Sequence, residues 1–127
     1  MDQAQLKART AQFALDVLNF CRSTRDTWEG RRIGNQLFDA ASSVAANYRS
    51  ACRGRSRAEF ASKIGIVVEE ADENEYWLIF AGKAGLGEQR KRDDLLKEAG
   101  ELLAIFAASQ ITAKFGRRSA PIVDRRS

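Results

Sequence analysis

A chain of 127 residues, 44% hydrophobic and 30% charged, has the size and balance of one globular domain; splitting it would leave pieces too small to bury a core, and a disordered chain would be poorer in apolar side chains. Histidine is absent, which removes the commonest general base and the commonest metal ligand, and two cysteines are too few for a disulfide scaffold. Of the net charge of +4, Arg117, Arg118, Arg125 and Arg126 against Asp124 supply +3, so the rest of the chain is close to neutral.

The first helix is predicted from about Ala4 to Arg25, with Leu6, Phe13, Val17 and Phe20 in one stripe and Thr10 filling the gap. Residues 23–30 read as a polar connection with one aromatic. The second helix is predicted from about Arg31 to Cys52, where Ile33, Leu37, Ala40, Ala41, Val44, Tyr48 and Ala51 share a face. Gly54 reads as a left-handed helix end, and Ser56 with Glu59 as a capping box. A linker this short makes helices two and three antiparallel neighbours. The third helix is predicted from about Arg57 to Ala84, with Phe60, Ile64, Val67, Ala71 and Leu78 in its core stripe and a glycine-rich break at residues 82–87. The fourth runs from about Gln89 to Lys114, with Leu95, Leu96, Ala99, Leu102, Leu103, Phe106 and Gln110 on one side and Gly116 closing it. No stretch alternates like a strand. The expected fold is an all-α, up-down antiparallel four-helix bundle over residues 1–116, followed by a disordered basic tail over 117–127. That tail reads either as an inert end or as an arm for an acidic partner.

No apolar run reaches the roughly 18 residues of a membrane span, and the polar start, Met1-Asp2-Gln3-Ala4-Gln5, does not resemble a signal peptide. A cytoplasmic location without membrane contact is expected. Cys21 and Cys52 read as small, buried hydrophobes with free thiols.

Helix three carries more apolar surface than one bundle can cover. Ile66, Trp77 and Phe80 lie roughly opposite its core stripe, and a helix apolar nearly all round is normally buried all round. This second stripe reads as an interface of a homo-oligomer, or else as a cover for the end of the bundle. Glu70 and Glu73 lie beside it and, if buried, need cationic partners. They read either as interface residues or as part of a solvated acidic face.

The residues offer little to catalysis. Carboxylates cluster at residues 69–75, but di-metal bundle sites pair Glu with Glu-x-x-His, and Glu101 and Asp39 look isolated. No base is placed to activate Ser42, Ser43 or Cys52, and the glycines at 82, 85 and 87 lack the Lys-Ser/Thr of a phosphate loop. No catalytic residue, metal ligand or cofactor is assigned. Arg49, Arg53, Arg55 and Arg57 at the helix two–three turn are the better constellation, because arginine forks suit phosphate oxygens. On helix two, Arg31, Asn35, Ser42, Arg49 and Arg53 fall on one outward face, from which aromatic side chains for base stacking are absent. RNA or DNA binding competes with ion pairing to the acidic stretch of a neighbouring subunit.

The ordered series Gln36-Leu37, Ala40-Ala41, Ser43-Val44 and Asn47, then Arg55-Ser56 and Glu59-Phe60, and on from Ile66 to Glu73, resembles the bacterial four-helix-bundle proteins encoded in intervening sequences of 23S ribosomal RNA genes. The chain departs from them at Ser50-Ala51, where the family commonly has Glu-Gly, and at Glu69-Glu70, where it often has Gly-Ser. The resemblance implies a ring assembly, typically a pentamer. A similar fold is that of the accessory protein of diversity-generating retroelements, a basic pentameric barrel that binds nucleic acid and a reverse transcriptase. The resemblance thus implies a non-enzymatic oligomeric module with nucleic-acid or protein partners.

Overall fold

Asp2 opens the first helix. Its Oδ1 accepts the Gln5 N–H at 2.7 Å while Gln5 Oε1 accepts the Asp2 N–H at 3.0 Å, a reciprocal capping box. The structure, a computed structural model, describes residues 1–115. They form α1 (Gln3–Arg22), α2 (Trp28–Cys52), α3 (Arg57–Lys83) and α4 (Gln89–Phe115). Gly116 and the tail expected over 117–127 lie outside the described residues.

Each helix packs on the next in sequence, and α1 meets α4 more loosely to complete a four-sided, all-α arrangement. The direction alternates. Cys21 near the end of α1 donates to Gly34 O near the start of α2, and Gly65 and Gly82 of α3 lie beside Gln110 and Arg92 of α4. Arg9 bridges α1 and α4, reaching Glu98 at 2.6 Å and Glu101 at 2.8 Å. Glu101, expected to be isolated, is therefore half of a clamp. Its partner Arg9 lies 92 residues away in sequence, so spacing carries no sign of the pair.

The core follows the apolar stripes. Leu6, Phe13, Val17 and Phe20 of α1 meet Leu37, Ala41, Val44 and Tyr48 of α2, Ile64, Val67, Ala71 and Leu78 of α3, and Leu95, Ala99, Leu102 and Phe106 of α4. Phe60, Leu96 and Leu103, expected in the same stripes, are only partly buried at its margin. Asn74 joins the buried stripe of α3 at 2% exposure, and its Oδ1 has no hydrogen-bond partner among the described residues.

The turns differ from expectation in three places. First, α1 stops at Arg22 and α2 starts at Trp28, each three residues earlier than the periodicity suggests. Ser23 caps α1, its N–H and Oγ both bonding Phe20 O, and Thr27 caps α2 by accepting the Gly30 N–H at 3.1 Å. Second, Gly54 is not left-handed; among the described residues the glycines with positive φ are Gly85 and Gly87. Gly54 instead sits in a tight place, where a Cβ would come within 3.1 Å of Ala51 O. Third, Ser56 Oγ accepts the Glu59 N–H, but Glu59 Oε1 turns to the Arg55 N–H at 3.3 Å, so the reciprocal half of the box is displaced by one residue. At the end of α3, the Gly85 N–H bonds Gly82 O and the Leu86 N–H bonds Ala81 O, with Gly85 at φ 71°, a Schellman ending.

Candidate nucleic-acid interface

The charge along α3 is divided by sequence. From Arg49 to Lys63 the chain has five bases and one acid, Glu59; from Glu69 to Glu75 it has five acids and no base. The fold turns this division into geography. The α2–α3 turn stands at one end of the bundle, so the bases collect at that end and the acids lie halfway along α3.

Arg49, Arg53, Arg55 and Arg57 are all exposed. Among the described residues the ion pairs all belong to Arg9, so none of these four guanidinium groups meets a carboxylate. The fold brings the four to the same end but does not make them one cluster. Arg49, on the last turn of α2, borders an apolar groove of about 500 Å³ between α1 and α2, together with Lys7, Leu15, Leu18 and Phe38. Arg53 is the C-cap of α2. Arg55 and Arg57 border a separate concavity of about 690 Å³ between the start of α3 and the end of α4.

That concavity is lined by Gly54, Ser56 and Phe60 on one side and by Ala108, Ser109, Thr112 and Ala113 on the other. Phe60, on α3 and so outside the helix-two face expected to lack aromatics, adds a ring beside Arg55 and Arg57. It was assigned to the core by its period, and the fold leaves it half-buried at the core margin with a side open to the cleft. The signal was present in the sequence, since Phe60 follows Arg57 by one helical turn.

The second stripe of α3 is solvent-facing. Ile66 is 41% and Phe80 42% exposed, while Trp77 is half-buried against the core. Tyr76, which was not singled out, is 55% exposed and belongs to the same surface. Its ring lies 5.0 Å from that of Trp77, edge to face, and Trp77 lies 5.6 Å from Phe80. Glu73 is exposed and Glu70 half-buried. Burial, and then the neighbouring Glu73, Glu69 and Asp39, hold the Glu70 carboxyl above the ordinary carboxylate range. A cation brought to this surface would relieve that strain. Among the described residues no three His, Cys, Asp or Glu side chains form a group suited to a metal ion. No described helix is long and apolar enough to cross a membrane.

No curated protein matches the chain. A crystal structure at 1.70 Å of a protein of unknown function from the S23 ribosomal protein family of Bacteroides thetaiotaomicron VPI-5482 superposes with a TM-score of 0.80. The two are 23% identical, and the match covers 88% of this chain and 100% of that one. At this identity the likeness is one of fold. The profile of the 23S rRNA-intervening sequence proteins matches residues 3–108, through all of α1, α2 and α3 and most of α4. The chain belongs to the 23S rRNA-intervening sequence protein family.

Proposed function

We propose that this protein is a cytoplasmic, non-enzymatic, oligomeric module that binds RNA or DNA through phosphate contacts from Arg49, Arg53, Arg55 and Arg57. The observation that carries the reading is the unpartnered positive charge at the α2–α3 end. Four exposed guanidinium groups there have no carboxylate partner among the described residues. Guanidinium forks match phosphate oxygens in shape and charge, and contacts of this kind bind the backbone without reading sequence. Weak sequence preference and a steep loss of affinity with salt follow. Reversing Arg53 and Arg57 to glutamate tests the reading by fluorescence anisotropy with labelled RNA. Both side chains are exposed, so the fold survives and affinity falls; unchanged affinity refutes the patch.

A second reading is favoured by the ridge on α3. Ile66, Glu70, Glu73, Trp77 and Phe80 combine exposed apolar area with a half-buried acid that burial and neighbouring carboxylates hold above its ordinary range. This suits a subunit interface in a homo-oligomeric ring, for which the resemblance favours a pentamer. The arginines would then pair with these acids across the interface, and the assembly would serve as a scaffold for a reverse transcriptase or another protein. Under this reading the same reversals break the oligomer. Mass by light scattering falls in the variant, whereas under the first reading mass is kept and only nucleic-acid affinity falls.

A further inference from the structure

The cleft between α3 and α4 has the properties of a site for one unpaired nucleotide. Its volume of about 690 Å³ lies in the range of about 300 to 1,000 Å³ typical of small-ligand clefts. Its space comes from small residues. Gly54, Ala108, Ser109 and Ala113 line it where larger side chains would fill it. Its chemistry is of three kinds, placed side by side. Arg55 and Arg57 supply positive charge, Phe60 an aromatic ring, and Ser109 and Thr112 hydroxyls. Neither hydroxyl, nor either guanidinium group, makes a hydrogen bond to the described residues, although Ser42 on α2 satisfies its own hydroxyl on Phe38 O at 2.8 Å. Glu59 is the carboxylate nearby, and its Oε1 is turned to the Arg55 backbone N–H. Two arginines against one glutamate leave a surplus of one positive charge, which matches one phosphodiester.

We propose that this cleft holds a single nucleotide of an unpaired strand, with the phosphodiester at Arg55 and Arg57, the base laid on Phe60, and Ser109 and Thr112 at the base edge. The proposal rests on the phosphate-binding reading of the arginine end and narrows it from nucleic acid in general to single strands. A base stacked inside a duplex cannot enter a cleft, whereas every unpaired base has a face to offer an aromatic ring.

The test compares four labelled ligands of equal length in anisotropy titrations: single-stranded RNA, single-stranded DNA, duplex DNA, and a DNA backbone with abasic sugars. The RNA and DNA arms show whether the sugar hydroxyl contributes. Phe60→Leu keeps apolar packing at the core margin and removes the flat face, and Thr112→Val keeps the volume of an exposed residue and removes the hydroxyl. Thermal melts confirm that both variants fold. The wild type is expected to bind base-bearing single strands about 5- to 150-fold more tightly than the abasic backbone, the range for one stacked base. Phe60→Leu removes most of that difference and leaves abasic binding unchanged, and Thr112→Val reduces it. Equal binding of all four ligands, still weakened by reversing Arg53 and Arg57, overturns the cleft and leaves the arginine reading standing. No binding of any ligand at low salt overturns both.

Discussion

Gly30 and Gly82 both lie inside helices, yet alanine should act on them in opposite directions. At Gly30 an added Cβ would stand 2.0 Å from Thr24 O and 2.9 Å from Thr27 Oγ1. The first atom is backbone in the turn that joins α1 to α2, and the second is the cap of α2, so neither can swing away as a long side chain would. The turn must open. Overpacking of this kind costs about 1–3 kcal/mol, and loss of the threonine cap about 1 more, against a helical gain of roughly 0.5–1 from replacing glycine. At Gly82 the nearest atom to the added Cβ is Arg92 Nε at 3.5 Å, an ordinary contact with a flexible side chain. There the helical gain of roughly 0.5–1 kcal/mol should appear unopposed. Urea unfolding followed by far-ultraviolet circular dichroism separates the two. With a slope of about 1–3 kcal/mol per molar, the variants' midpoints should differ by about 1–2 M, with the wild type between them. A Gly30→Ala midpoint at or above the wild type would refute the close packing of the α1–α2 turn.

Two further outcomes can be measured on the same footing. Asn74→Leu removes a buried acceptor without a partner among the described residues and should raise stability by about 1–3 kcal/mol in urea unfolding; a loss would mean that the amide is held by a bond the packing requires. Burial pushes the Cys21 thiol up from 9.0 to about 11, so the native state keeps its proton where the unfolded chain gives it up. Its contribution to stability is complete below pH 9 and is lost as pH rises towards 11; Cys21→Ser should lose less stability over that window in thermal melts, and identical pH profiles would contradict the assignment.

The helices were legible because their stripes repeat. Leu6, Thr10, Phe13, Val17 and Phe20 of α1, and all seven residues assigned to the core face of α2, are buried as periodicity predicts. Asn74 was not legible. Its position between Ala71 and Leu78 belongs to the stripe, but its side chain argues for solvent, and the packing of long helices overrode the residue type. Thr27 escaped notice because a threonine followed by glycine at the third position lacks the acidic half of a capping box, although the hydroxyl alone caps α2. Gly54 was misread for a related reason: sequence shows that a glycine ends a helix, but not whether it is there for its φ or for space. The arginine site was legible as a run and not as a shape. The chain reverses between Arg53 and Arg57, so residues adjacent in sequence border different clefts, with Arg49 on the α1–α2 side and Arg55 and Arg57 on the α3–α4 side.

Phosphate binding by the α2–α3 end is tested most directly by the salt dependence of RNA affinity in the wild type and in the variant carrying Arg53→Glu and Arg57→Glu. With Arg55 and Arg57 on one phosphodiester, the four arginines neutralise three phosphates; on a single strand this gives a log–log slope of about −2.1, which is about a twenty-fold loss of affinity between roughly 50 and 200 mM salt. Reversing Arg53 and Arg57 removes the Arg53 phosphate and opposes Arg55 at the shared one, so the slope should flatten to between about −0.7 and −1.4 and binding should weaken at every salt concentration. An affinity that does not change with salt, or a slope that the reversals leave untouched, would contradict the assignment of the arginine end as the binding surface.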